Sequence, residues 1–202
     1  MHIHKVKFYL RDRNQELAEA WTKHFNGVEQ VAVSCGDIFD LAADAIVSPA
    51  NSFAFMDGGI DLVYSNYFGW DLQERLQTLL AKEHDGELPV GQAVIVETHH
   101  ERIPFLISAP TMRVPMSVAN TVNAYLAFRA TIRAVREHNN QTADPIKTVL
   151  CCGLGTATGG ISPVVCAKQM SAAYRICVEG YANSPFELNW LAEHGRLTSV
   201  GD

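Results

Sequence analysis

Predicted strands and helices alternate along most of this chain, and this order limits the possible folds more than any single motif does. The run Ala45-Ile46-Val47 lacks polar alternation, which is typical of a strand covered on both faces. We predict strands over Val6 to Leu10, Val28 to Ser34, Ala45 to Val47, Gln92 to Thr98, Phe105 to Ser108 and Lys147 to Cys152. Helices are predicted from Asn14 to Phe25, Ile60 to Phe68, Asp71 to Glu83, Ser117 to Asn139, Ser162 to Gly180 and Pro185 to His194. The pattern predicts an α/β sandwich with a largely parallel central sheet.

The length and composition suit one ordinary globular domain. The chain has 202 residues, of which 48% are hydrophobic, enough for a full core. We expect a single domain over residues 1–202, with residues 195–202 as a flexible tail. The net charge of −6 argues against general nucleic-acid binding and against binding to an anionic membrane surface, both of which favour a basic excess.

The cysteines and the N-terminal residues predict a cytoplasmic location. Five cysteines, an odd number without a CxxC pair, indicate free thiols in a reducing compartment. Met1 to Lys5 lacks the apolar core of a signal peptide, and no stretch has the roughly 18–20 apolar residues of a membrane span. The pair His99-His100 is interpreted as an exposed loop, since neighbouring strand residues point to opposite faces, and no metal site is expected.

A glycine-rich segment near the end of the predicted sheet indicates a phosphate site. The last strand leads into a loop with four glycines, Gly153 to Gly160, called here the glycine loop, and Ser162-Pro163 then opens a helix with a favoured N-cap and N1 residue. Such a loop lets backbone N–H groups approach an anion. The glycine spacing differs from G-x-G-x-x-G, which argues against a dinucleotide-binding fold. The loop also lacks the Gly-Lys-Ser/Thr sequence of a Walker loop. A purely structural tight turn is the alternative.

A second group of motifs lies earlier in the chain. Gly36-Asp37-Ile38 follows a predicted strand, and Ser48-Pro49-Ala50-Asn51 follows the next one. Gly58-Gly59-Ile60-Asp61 then leads into a helix. Together with the glycine loop, this order resembles the macro domain family, which shows a Gly-Asp-Ile turn, an Asn-Ala-Ala-Asn strand end, a glycine-rich segment before a helix and a second glycine-rich loop. The resemblance covers about Val31 to Gly180.

The resemblance implies a three-layer α/β/α fold with a mixed, largely parallel sheet and a site for ADP-ribose. Asp37 matches the acid that binds the adenine amino group, with Ile38 beside it. Asn51 matches the asparagine that contacts the distal ribose, and Asp61 matches the aspartate that orients a water or that ribose. The remaining residues of the expected ligand site are Gly58, Gly59, Gly153, Gly155, Thr156, Ala157, Thr158, Gly159, Gly160 and Ile161. No metal or redox cofactor is implied.

Several residues keep a second interpretation or depart from the family pattern. Asp37 could form a local turn, and Asp61 could serve the helix dipole. Ser48-Pro49 replaces the first Asn-Ala of the motif, and the aromatic residues Phe53 and Phe55 could be core or could cover the ligand. Phe186 is the residue predicted to stack on the adenine.

The function predicted from these residues is binding of ADP-ribose or a derivative between two loops. As an enzyme, with Asn51 and Asp61 as catalytic residues, the protein would hydrolyse a mono-ADP-ribose linkage on a macromolecule or process ADP-ribose-1″-phosphate. The alternative is a non-catalytic reader of ADP-ribose or a related nucleotide, or an interaction module.

Overall fold

The computed structural model describes residues 3–180 and 189–201, and within these ranges six strands form one sheet. The sheet order is β2-β1-β6-β3-β5-β4, and only β4 runs antiparallel to its neighbour, β5. The prediction of a mixed, largely parallel sheet is therefore confirmed. The strands are β1 (Lys7–Asp12), β2 (Val31–Cys35), β3 (Ala45–Ser48), β4 (Val94–Glu97), β5 (Phe105–Ser108) and β6 (Thr148–Cys151).

The same ranges contain six α-helices, which cover both faces of the sheet. They are α1 (Gln15–His24), α2 (Gly59–Phe68), α3 (Asp71–Glu83), α4 (Asn123–Gln141), α5 (Pro163–Tyr174) and α6 (Asn189–Thr198). A π-helical turn, Arg175–Gly180, continues α5. Helices α1, α4 and α5 pack together on one face, and α2 and α3 pack together on the other. The three-layer prediction is therefore confirmed. In the described part of the chain, no helix combines the length and the apolar character needed to cross a membrane.

The two-residue period of the strands divides the core into two parts. Along β6 and the residue that follows it, Val149 and Cys151 pack in the cluster under α1, α4 and α5, whereas Leu150 and Cys152 pack in the cluster under α2 and α3. All four side chains are buried. Such a strand has no polar face, which explains why its sequence is apolar throughout.

The start of α4 differs from the prediction. The helix begins at Asn123, and its N-cap position is Val122 rather than Ser117. The Val118 amide donates to the Gly159 carbonyl at 2.8 Å, and the Thr121 hydroxyl donates to the Val118 carbonyl at 2.7 Å. Residues 117–122 therefore form a turn fastened to the glycine loop. Because Val118 is nevertheless buried, the apolar period extends beyond the helix.

The C-terminal helix occupies part of the segment expected to be a tail. Helix α6 continues to Thr198 and thus includes Gly195, while the predicted helix residues 185–188 and Phe186 lie outside the described residues. Lys168, a buried residue of α5, fastens the end of this helix to the domain. Its ammonium group donates to the backbone carbonyls of Arg196, Ser199 and Gly201.

Candidate functional site

A cleft of about 540 Å³ opens beyond the carboxyl ends of the central strands β1, β6 and β3. The chain leaves β1 for α1 on one face of the sheet and leaves β3 for α2 on the other face. Loops that part in opposite directions leave a crevice between them, which is the usual ligand position in such folds. The volume lies within the roughly 300–1,000 Å³ of small-molecule sites.

The glycine loop forms one wall of this cleft and presents a run of free donors. Gly153 and residues 155–159 line the cleft. Within the described residues, the backbone N–H groups of all five residues 155–159 lack a hydrogen-bond partner. The loop closes behind them, because Gly160 donates to the Ala157 carbonyl and Ile161 donates to the Gly155 carbonyl. Successive free amides in a tight loop form a concave site for an anion.

Close backbone packing explains why this loop needs glycine. A Cβ atom on Gly159 would lie 2.5 Å from the Gly155 carbonyl oxygen and 2.7 Å from a methyl group of Val118. Ile161 is buried and supports the loop from behind. Neither Gly160 nor Ile161 lines the cleft, although both were among the predicted ligand residues.

The N-terminus of α2 forms the opposite wall. Gly58 is the N-cap residue, and the first intrahelical bond runs from the Leu62 amide to the Gly58 carbonyl. The N–H groups of Gly59, Ile60 and Asp61 precede that bond, so they have no helical acceptor. Gly58 to Asp61 all line the cleft. The helix dipole adds a partial positive charge at this end, which favours an anion.

Asn51 lines the cleft, but its side chain forms hydrogen bonds with the loop that follows it. Its Oδ1 accepts from the amides of Phe53 and Phe55, and its Nδ2 donates to the Phe55 carbonyl at 2.9 Å. Ala54, between these residues, is buried with φ +55°, in the left-handed region. The loop presents Phe55, which is 53% exposed, at the cleft. The contact of Asn51 with a ribose remains a prediction, and the structure adds a role in shaping this loop.

Asp61 combines burial with access to the cleft. It stands in the first turn of α2, is 7% exposed, and accepts a hydrogen bond of 2.5 Å from the Ser48 hydroxyl at the end of β3. Burial raises the pKa of the Asp61 carboxyl to about 7, and the hydrogen bond from Ser48 opposes that rise. Near neutral pH the group therefore exchanges a proton readily, which suits a general acid or base.

Asp37 and Ile38 lie beyond the cleft lining. Asp37 caps a short 3₁₀ turn by accepting from the Phe39 amide at 3.0 Å, and it pairs with the Arg13 guanidinium. These bonds, the one from Phe39 first and then that from Arg13, lower the pKa of the Asp37 carboxyl. Ile38 is buried in the core beneath α2 and α3. The local-turn interpretation of Asp37 describes this geometry, and the adenine contact remains a prediction.

Arg11 explains the glycine before this turn. Its guanidinium donates to the Asp37 carbonyl at 2.6 Å and to the Ser34 hydroxyl at 2.8 Å, and it pairs with Asp40. A Cβ atom on Gly36 would lie 2.3 Å from a nitrogen of that guanidinium, and φ at Gly36 is +146°. The glycine therefore makes room for the arginine that fixes the turn.

Asp12 and Asn14, which were not among the predicted site residues, also line the cleft, where β1 ends and leads into α1. The Asp12 carboxylate accepts from the amides of Gly153 and Asn14, each at 3.0 Å. The N–H group of Gly153 is thus occupied, and the free donors of the glycine loop begin beyond it. The signal that could have identified Asp12 is its place at the end of a strand next to β6, but strand order is not visible in the sequence.

The cleft has no cationic side chain among the described residues that line it, whereas Asp12, Asp57 and Asp61 carry carboxyl groups there. An anionic ligand would therefore depend on backbone amides for binding. Nowhere in residues 3–180 or 189–201 do three His, Cys, Asp or Glu side chains come together as metal ligands would.

Comparison with known proteins points to one family. The Macro domain family model matches residues 47–170. An uncharacterised protein of Aeropyrum pernix is 31% identical over 158 residues, which are 78% of this chain and 76% of the relative. The macrodomain of Mycobacterium tuberculosis DarG superposes with a TM-score of 0.59 at 21% identity, covering 70% of this chain and 88% of that one. A variant macrodomain of Oceanobacillus iheyensis, solved with ADP-ribose, gives 0.55 at 18% identity, covering 68% and 73%.

Proposed function

This chain belongs to the macro domain family, and on that basis we propose that it binds ADP-ribose between the glycine loop and the N-terminus of α2. One observation carries the proposal, namely that the five consecutive amides of residues 155–159 line the cleft and have no hydrogen-bond partner among the described residues. A pyrophosphate offers several acceptor oxygens, and successive free N–H groups in a tight loop can donate to them together. Such a cradle needs no lysine or arginine, which agrees with the lining of this cleft.

Solved relatives support this proposal. The Oceanobacillus iheyensis macrodomain has been solved with ADP-ribose and with ADP. Three variants of that protein, each with one substitution, have also been solved. The substituted residues are an asparagine, a glycine seven positions after that asparagine and an aspartate ten positions after it. The same residue types stand at the same spacing here, as Asn51, Gly58 and Asp61, and all three line the cleft.

Binding is tested first by titration calorimetry with ADP-ribose. We expect one ADP-ribose to bind per chain, since the glycine loop and the N-terminus of α2 face each other across a single cleft. Ribose 5-phosphate, which lacks the pyrophosphate and the adenine, should bind much more weakly. No detectable heat at millimolar ADP-ribose would refute the proposed site. The Asp37→Ala variant then tests the adenine end separately, because an unchanged affinity would remove Asp37 from the ligand site.

A second function, hydrolysis of a mono-ADP-ribose linkage, is favoured by the position of Asp61. In this proposal the ionised carboxylate takes a proton from a water molecule. The oxygen of that water bonds to the anomeric carbon of the distal ribose as the bond from this carbon to the modified group breaks. The departing group receives the proton, and free ADP-ribose results.

Hydrolysis is tested by incubating the protein with a mono-ADP-ribosylated protein and measuring the release of ADP-ribose. The Asp61→Asn variant keeps the shape of the side chain but cannot accept a proton, so release should slow far more than binding weakens. Undiminished release by this variant would exclude Asp61 from the reaction. Intact binding without release by the wild-type protein would instead identify a reader.

A further inference from the structure

The carboxyl group of Asp61 has two oxygens in different surroundings. Oδ1 accepts from the Ser48 hydroxyl at 2.5 Å. Oδ2 has no hydrogen-bond partner among the described residues. The described polar atoms that are shielded from solvent and unpaired do not include it, so solvent can reach this oxygen. Since Asp61 lines the cleft, its second oxygen is the one available to a ligand or to water. The serine thus fixes one half of the carboxyl and leaves the other half free.

Ser48 is itself held firmly. It is fully buried at the end of β3, a strand with parallel neighbours on both sides. Its side chain lies on the face of the sheet that α2 covers, because Ile46, two residues earlier, packs in the cluster beneath α2. A donor on a rigid, buried strand restricts its acceptor more than a donor on a loop would.

We infer that Ser48 is a positioning residue for Asp61, which it orients with one oxygen toward the ligand and holds in the ionised form. This inference rests on the proposed function, because the carboxylate is placed for a reaction in the cleft. It assigns a purpose to the serine that replaces the first asparagine of the family pattern. The Ser48 hydroxyl donates to the charged form of the carboxyl, so it opposes the effect of burial.

No cation shares this task in the described structure. The described titratable groups that interact electrostatically with Asp61 are Tyr64 of α2 and Cys152, which follows β6, and both are neutral near pH 7, since burial raises the pKa of each. The other acidic side chains that line the same cleft, Asp57 and Asp12, supply no cation to stabilise the charged carboxyl of Asp61. Ser48 is thus the described side chain that donates a hydrogen bond to Asp61.

Ser108 provides a matched control. It stands beside Ser48 in register on β5, it is equally buried, and its hydroxyl has no hydrogen-bond partner in the part of the chain that the structure describes. Ser48→Ala and Ser108→Ala therefore remove the same atom at the same depth in adjacent strands. Only the first removes a bond to Asp61, so a difference between the two variants reports that bond rather than a general change in packing.

The test follows the titration of the Asp61 carboxyl carbon by NMR, in protein labelled with ¹³C at aspartate and with Asp61→Asn to assign the signal. In Ser48→Ala we expect the midpoint to rise by about one pH unit or more, as loss of a hydrogen bond to a charged group predicts. Ser108→Ala should titrate like the wild type, and Ser48→Thr, which keeps a hydroxyl, should restore most of the difference. An unmoved midpoint in Ser48→Ala, or an equal rise in Ser108→Ala, would overturn the inference.

The titration needs no ligand, so its outcome is independent of the proposed function. Where ADP-ribose is released, the acidic limb of the rate profile of Ser48→Ala should move to higher pH together with the NMR midpoint. A moved midpoint with an unmoved rate profile would overturn the positioning role. If calorimetry shows no ADP-ribose binding, the proposed function fails, whereas the titration still decides whether Ser48 controls the carboxyl.

Discussion

Replacing Gly159 by alanine should weaken ADP-ribose binding by displacing the free amides of the glycine loop. The new Cβ would lie 2.5 Å from the Gly155 carbonyl oxygen, 3.1 Å from the Gly155 Cα and 2.7 Å from a methyl group of Val118. Two of these contacts are shorter than any real Cβ contact, and one is with backbone, so the loop itself must shift. The φ of Gly159 does not lie in the left-handed region, and therefore the effect comes from crowding rather than from backbone strain.

The loss of ADP-ribose affinity depends on how many backbone amides no longer point at the pyrophosphate. A hydrogen bond to a charged acceptor contributes about 1.5–3 kcal/mol, so loss of one amide contact predicts binding about 10- to 100-fold weaker. Overpacking of this kind lowers the free energy of unfolding by about 1–3 kcal/mol. Calorimetry measures the first quantity, and denaturant unfolding measures the second.

Thr158→Ala is the control for this variant. The side chain of Thr158 is exposed in the same loop, and its removal leaves every backbone amide in place. We expect its ADP-ribose affinity to stay within about threefold of the wild type, a change of less than about 0.7 kcal/mol. A folded Gly159→Ala protein that binds as tightly as this control would refute the assignment of the glycine loop as the phosphate cradle.

Three further predictions concern other parts of the structure. The folded pKa of Asp61, about 7, exceeds the ordinary 3.8, so this group favours the folded state at low pH and loses that contribution as pH rises from 4 to 7. Asp61→Asn should therefore gain stability relative to the wild type across this window, by up to about 1.4 kcal/mol per pH unit in denaturant unfolding, and a constant difference would contradict the raised pKa. Asn51→Ala should speed hydrogen exchange at the amides of Phe53 and Phe55, whereas Asn51→Asp, which keeps the acceptor, should retain more protection. Lys168→Met should speed exchange in α6 and leave ADP-ribose affinity unchanged, and equal exchange rates would show that the ammonium group does not fasten that helix.

The sequence predicted the elements well where periodicity and packing agree. The bounds of α3 and β5 match the structure, and Asn14 and Ser162, where two helices were predicted to begin, are the N-cap residues of α1 and α5. Helix α4 shows the opposite case. The apolar period there begins at Val118, yet a bond to the Gly159 carbonyl holds that residue in a turn. A contact between segments distant in the sequence overrode the local pattern.

The candidate site was predictable only in part, for a similar reason. The loop residues of both walls could be recognised from glycine content and motif order. The contribution of Asp12 depends on β6 lying next to β1, and the hydrogen bond between Ser48 and Asp61 depends on how α2 packs on β3. The side chain of Asn51 turned inward to its own loop, which residue type and spacing do not reveal. Such properties arise from tertiary packing.

The central position of β6 has a consequence for the order in which this protein can form. The last strand of the described sheet, β6, lies between β1 and β3, so the pair β2-β1 and the group β3-β5-β4 have no direct ladder between them until β6 is present. A ribosome therefore delivers two partial sheets before it delivers the strand that joins them, and pairing across such a sequence separation is slow. The glycine loop follows that same strand, so the domain gains its central strand and the second wall of its cleft in a single late step. A nascent chain that ends before Thr148 should accordingly expose two unpaired strand edges and bind no ADP-ribose.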